Sequence, residues 1–194
     1  MVKSSGNPIS NEKIFESLSP LINTRKKDSK LVSSTSMVHN VIDALIKTKI
    51  IFPIKPFSSD EKIIRHAWEY YFTTSTIVSS LLINMGKFHK EDNTMWGKIL
   101  ENEVAAVLEK NRSLHIINNV QFDYNEGGAD FIVSNSQSEK RVLEICTSGS
   151  KNERQVMKTM AWCEATFGAI IGDYSEVEIK DNVIHIPKLL MLMI

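Results

Sequence analysis

Gly127-Gly128-Ala129-Asp130-Phe131-Ile132-Val133 and, further on, Arg141-Val142-Leu143-Glu144-Ile145-Cys146 decide how this chain is read. Both runs are short, apolar and rich in β-branched residues, the composition of strands, and each carries one acid. Asp130 opens the first run after a glycine turn, and Glu144 interrupts the second between Leu143 and Ile145. Side chains alternate along a strand, so Glu144 and Cys146 share one face while Leu143 and Ile145 share the other. Pairing of the two runs through a turn at 135–140 brings two carboxylates to one end of a sheet. Two like charges held together away from water are costly unless a cation neutralises them. A hard divalent ion with oxygen ligands, such as Mg²⁺, meets that need.

Outward from this pair the chain alternates helix and strand. Residues 95–110 place Trp96, Ile99, Leu100, Val104, Val107 and Leu108 at helical spacing, with Glu101 beside that apolar face. The pattern predicts strands at 120–124, 130–133, 141–146 and 168–171, a helix at 153–167, and a closing hairpin of 176–179 with 183–186. In the first third, Ile14, Phe15, Leu18, Leu21 and Ile22 predict an amphipathic helix over 11–22, followed by a polar, basic turn at 23–30. Ser33-Ser34-Thr35-Ser36 offers hydroxyl caps for a second helix, and Ile50-Ile51-Phe52-Pro53-Ile54 reads as a strand. Helix, basic turn, capped helix and strand is the order of a winged helix-turn-helix, whose capped helix enters the major groove. Arg25, Lys26, Lys27, Ser36 and His39 are then the DNA-contact candidates. A small packing module that never meets DNA has the same pattern.

The 23 basic and 23 acidic residues cancel over 194 positions, which removes any chain-wide preference for nucleic acid or membrane. The balance hides a split: residues 1–57 carry nine bases against four acids, and residues 58–194 carry fourteen against nineteen. The basic segment and the acidic remainder therefore point to different partners. Two cysteines, Cys146 and Cys163, make neither a disulfide framework nor a multi-cysteine zinc site. With no apolar run near ~20 residues, the expectation is a soluble, reduced, cytoplasmic protein. Three parts are expected: a winged-helix-like module at 1–57, a helical connector at 58–93 and an α/β domain at 94–194.

Helix, strand, Asp, strand, Glu-x-x resembles the PD-(D/E)xK restriction-endonuclease-like fold, a mixed sheet flanked by helices. That resemblance implies Asp130 and Glu144 as catalytic metal ligands, with Glu101 as an outer ligand, and Mg²⁺ or Mn²⁺ as cofactor. Active members carry Lys in the third position, where its charge stabilises the attacking hydroxide or the phosphorane-like state. Here that position is Cys146. Arg154, Gln155 and Lys158 follow on the next helix, and Lys158 is the candidate replacement.

The chain as a whole resembles the C-terminal region of a group of prokaryotic P-loop ATPases of unknown function. The matching stretches are Tyr70-Tyr71-Phe72, Gly97 to Asn102 ending in Glu101-Asn102, Ala129 to Val133, Leu143 to Cys146, and Pro187-Lys188-Leu189-Leu190. No Gly-x-x-x-x-Gly-Lys-Ser/Thr loop is present, so no ATP site is expected in this chain itself. The resemblance implies a DNA-associated module with a degenerate nuclease-like domain, a metal-dependent DNA endonuclease if active. The alternative is a non-catalytic interaction or regulatory domain, with an ATPase domain or another protein as partner.

Overall fold

The computed structural model describes Lys13, Glu16 and residues 35–58, 68–146 and 153–193. Lys13 and Glu16 are helical, within the stretch whose periodicity predicts a helix. The basic run Arg25-Lys26-Lys27 and the turn at 23–30 lie outside the described residues.

The fold is α/β, built on one mixed eight-stranded sheet of order β2-β1-β3-β4-β5-β6-β8-β7. Helix α1 (Thr35–Lys47) precedes β1 (Ile51–Pro56), β2 (Glu69–Phe72) and α2 (Ser75–Asn84). The long helix α3 (Asn93–Ser113) leads to β3 (Asn119–Phe122), β4 (Phe131–Ser134) and β5 (Lys140–Cys146). Helix α4 (Glu153–Cys163), β6 (Phe167–Gly172), β7 (Glu178–Lys180), β8 (Val183–Pro187) and the short α5 (Lys188–Met191) complete it. β1 runs antiparallel to β2 and parallel to β3, so the strand that follows α1 lies in the same sheet as the strands beyond residue 119. β4 and β5 are antiparallel, and β5, β6 and β8 are parallel neighbours.

The alternation along β4 and β5 divides the core in two. Phe131 and Leu143 pack with Tyr71, Leu100, Val104 and Leu108 under α3. Ile132, Val142 and Cys146 pack with Val156, Met160 and Cys163 under α4. A third cluster joins Val38 and Ile42 of α1 to Ile51, Phe72, Val78, Met95 and Ile99. The 153–167 periodicity overshoots the helix, which stops at Cys163. Glu164 takes a left-handed φ of 57°, Ala165 N–H closes on the Met160 carbonyl, and Phe167 already pairs with Arg141 on β5. Five apolar residues at 165–171 serve strand and helix periodicity equally well, and the parallel ladder decides.

Two polar devices hold the sheet to the helices. Asn102, fully buried on α3, accepts Phe72 N–H at 2.8 Å and donates to the Phe72 carbonyl at 3.0 Å. It thereby ends β2 with both backbone groups satisfied. Thr159 on α4 accepts Ala129 N–H at 2.9 Å and donates to Asp123 Oδ2 at 2.6 Å, which fixes the loop that delivers Asp130. That loop needs Gly128: a Cβ there would lie 2.3 Å from Asp123 Cγ.

Candidate functional site

Asp130 sits where β4 begins, one step outside its regular ladder. Its Oδ2 accepts the backbone N–H of Ile145 at 2.7 Å, while its own N–H donates to Glu144 Oε2 at 3.3 Å. The two side chains thus extend the β4–β5 pairing past the last regular bond. The same contact splits the pair of acids. The Asp130 carboxylate faces a pocket of about 300 Å³ lined by Thr94, Gly97, Lys98, Glu101 and Ile145. Glu144 is buried and shares its face with Val142 and Cys146, the side of β5 that packs under α4.

Glu101 reaches this pocket from the third turn of α3, with Lys98 one turn earlier on the same face. Behind Glu101 lies a chain of groups that the sequence pattern does not announce. The Tyr71 hydroxyl is 2.8 Å from Glu101 Oε1 and 2.9 Å from Glu69 Oε2. A phenol has one proton, so it donates to one carboxyl and must receive a proton from the other. At least one of the two acids is therefore held as the neutral carboxylic acid whenever both contacts exist.

The electrostatics agree. Burial, opposed by the Tyr71 hydrogen bond and reinforced by Asp130, pushes Glu69 up to about 8. Burial and then the neighbouring Asp130 raise Glu101 well above the usual carboxylate range, while Lys98 pulls it down. Burial lifts Asp130 to about 6 against the lowering effect of the Ile145 N–H. Tyr71, buried and flanked by Glu101 and Glu69, is held well above the ordinary phenol range. Three carboxyl groups and a phenol thus converge, and each gains from a proton or a cation.

The donor set suits a hard divalent ion. Glu101 and Asp130 offer oxygen ligands in the open pocket, and among the described residues no group of three or more His, Cys, Asp or Glu has ligating geometry. Mg²⁺ commonly binds through one or two carboxylates, keeping waters and substrate phosphates in its other positions.

The other residues marked by the sequence fall elsewhere. Lys158 donates to the Glu126 carbonyl and Gln155 to the Gly128 carbonyl at 2.8 Å, so both hold the 123–129 loop from the α4 side. Cys146 is buried in the α4 core. Ser36 and His39 are exposed on α1, where His39 Nε2 is 3.4 Å from Asp43. The site residues missed by sequence reasoning are Lys98, which lines the pocket, and Tyr71 and Glu69 behind Glu101. Only Lys98 had a local signal, its i, i+3 spacing from Glu101.

The chain is 33% identical over 153 residues to an uncharacterized protein, MJ1637, of Methanocaldococcus jannaschii. The alignment covers 76% of this chain and 30% of that protein, so the chain spans about a third of its relative's length. No family model matches the chain, and no solved structure matches it. Among the described residues no helix is long and apolar enough to cross a membrane.

Proposed function

We propose that this chain is a DNA-associated module with a PD-(D/E)xK-like domain, whose working site is the Glu101–Asp130 pocket. The observation that carries the reading is the meeting of Glu101, Asp130 and Lys98 in one open cavity at the end of β4 and β5. Glu101 and Asp130 would hold Mg²⁺ or Mn²⁺, which when bound supplies Lewis-acid activation for phosphodiester hydrolysis. Lys98 takes over the electrostatic duty of the lysine that Cys146 replaces, and Lys158 serves the loop. Glu144 positions Asp130 through its backbone N–H, and Tyr71 orients Glu101. The exposed face of α1 with Ser36 and His39, together with the basic run Arg25-Lys26-Lys27, contacts DNA in a winged-helix manner. An ATPase domain is the partner that the sequence resemblance implies.

The test is DNA cleavage by the full chain on single-stranded, duplex and branched substrates with Mg²⁺ or Mn²⁺. Asp130→Asn and Glu101→Gln should each lower cleavage by about 100-fold or more, and Lys98→Ala by a comparable factor. Undiminished cleavage by Asp130→Asn would remove the site.

A second reading has its own observation. On the α3 side of β5 the residues are Leu143 and Ile145, so the strand brings no acid and no lysine to the pocket. A domain that keeps the fold for interaction or regulation would look the same. Absence of cleavage on every substrate, with DNA binding that is undetectable or independent of salt, would favour this reading.

A further inference from the structure

We propose a second cation site, independent of the carboxylate pocket, in which His185 and Glu153 bind a borderline transition metal such as Zn²⁺. His185 lies in β8 on the α4 side of the sheet, in register with Ile170 on β6 and Glu178 on β7. It is fully buried, yet among the described residues neither Nδ1 nor Nε2 has a hydrogen-bond partner. Leaving a buried polar group unpaired is costly, so an imidazole in this state calls for an occupant.

The neighbouring carboxylate shows where it would sit. Glu153 Oε1, in the first turn of α4, lies 3.3 Å from His185 Nε2 without forming a hydrogen bond. Metal–ligand bonds of about 2.0–2.1 Å give a tetrahedral edge of about 3.3 Å. Two donor atoms at that spacing can share a third atom between them. The Tyr174 ring stands edge-on to the imidazole with centroids 5.0 Å apart, which fixes the ring plane from the other side. Glu178, the remaining acid beside His185, is engaged by Lys180 at 2.9 Å.

Ligand chemistry selects the metal. Imidazole nitrogen with one carboxylate suits Zn²⁺, Co²⁺ or Mn²⁺, whereas Mg²⁺ prefers an all-oxygen shell. Among the described residues His185 and Glu153 are the two ligands, with water able to fill other positions. Glu153 is 40% exposed, so the ion enters from the helix side while His185 stays covered.

The experiment is calorimetric titration of the chelator-treated full chain with Zn²⁺, and with Co²⁺ as a spectroscopic probe, in excess Mg²⁺. The expected result is one Zn²⁺ equivalent that Mg²⁺ does not displace, with visible Co²⁺ absorption. Glu153→Gln and His185→Gln should each weaken binding at least tenfold, while Glu101→Gln/Asp130→Asn retains it. Glu153 is half-exposed, so its variant reports even where a change at the buried His185 prevents folding. No Zn²⁺ binding by wild type, or equal binding by Glu153→Gln, would overturn the site. Loss of the same equivalent in Glu101→Gln/Asp130→Asn alone would assign it to the carboxylate pocket and overturn it equally.

Discussion

Asp130 Oδ2 accepts the backbone N–H of Ile145 at 2.7 Å, so one side chain both closes the β4–β5 ladder and faces the Glu101 pocket. A carboxylate in both positions makes Asp130→Ala a poor functional probe. Removing it leaves the Ile145 N–H without its acceptor and should lower stability by about 1–3 kcal/mol. Asp130→Asn keeps an acceptor oxygen and should cost less than half as much, while losing the charge that faces Glu101. Urea denaturation of the two variants checks this, and equal losses would show that the Ile145 bond contributes nothing.

The pH dependence follows from the raised acids. Glu69 rises from 4.5 to about 8 and Asp130 from 3.8 to about 6. A group with its folded value raised holds a proton in the folded state after the unfolded chain has lost it. Stability is therefore greatest below the unfolded values and falls as pH rises through the window up to the folded ones. The slope approaches about 1.4 kcal/mol per pH unit for each such group. In chelator, the denaturation midpoint should fall between pH 5 and 8 and level off above, and Glu69→Gln should flatten the pH 6–8 part. A midpoint rising over that interval would contradict the assignment.

Asn102 gives the sharpest structural prediction. Both polar atoms of its amide are committed to Phe72, and no water reaches it. Asn102→Leu is near in volume but strands two buried backbone groups, a loss of about 3 kcal/mol or more. Because β2 also carries Tyr71, amide exchange at residues 69–72 should accelerate with it. Unchanged exchange there would mean β2 is held by its pairing with β1 alone.

Gly168 lies where α4 presses on β6. A Cβ there would meet Val156 Cγ1 at 2.2 Å and Met160 Sδ at 2.8 Å. Gly168→Ala should cost about 1–3 kcal/mol by overpacking. Val156→Ala opens space at the same contact, so the double variant should be more stable than the sum of the single losses, with a coupling of about 0.5–3 kcal/mol. Simple additivity in a double-mutant cycle would remove this packing account.

The sequence alone determined which face each residue of a strand presents, because alternation is a property of the backbone itself. Val142, Glu144 and Cys146 fall on one side and Leu143 and Ile145 on the other, as the pattern requires. It also determined the helix at α3 and the place of Glu101 on it, because spacing near 3.6 sustained from Trp96 to Leu108 has no competing reading. Boundaries were less secure, as the 153–167 stretch shows, since a helix end depends on where the next strand finds its neighbour.

Only the tertiary structure decided what stands behind Glu101. Glu69 and Tyr71 come from a short edge strand about thirty positions before Glu101, and the parallel pairing of β1 with β3 carries that strand into the common sheet. It also decided that the Asp130 and Glu144 carboxylates diverge. Asp130 leaves the regular ladder where β4 begins, and hydrogen bonding to Ile145 rather than strand alternation sets its direction. Local periodicity records which side of an element is buried. Long-range register, which decides what lies across from that side, is a balance of packing and hydrogen bonds that no single segment contains.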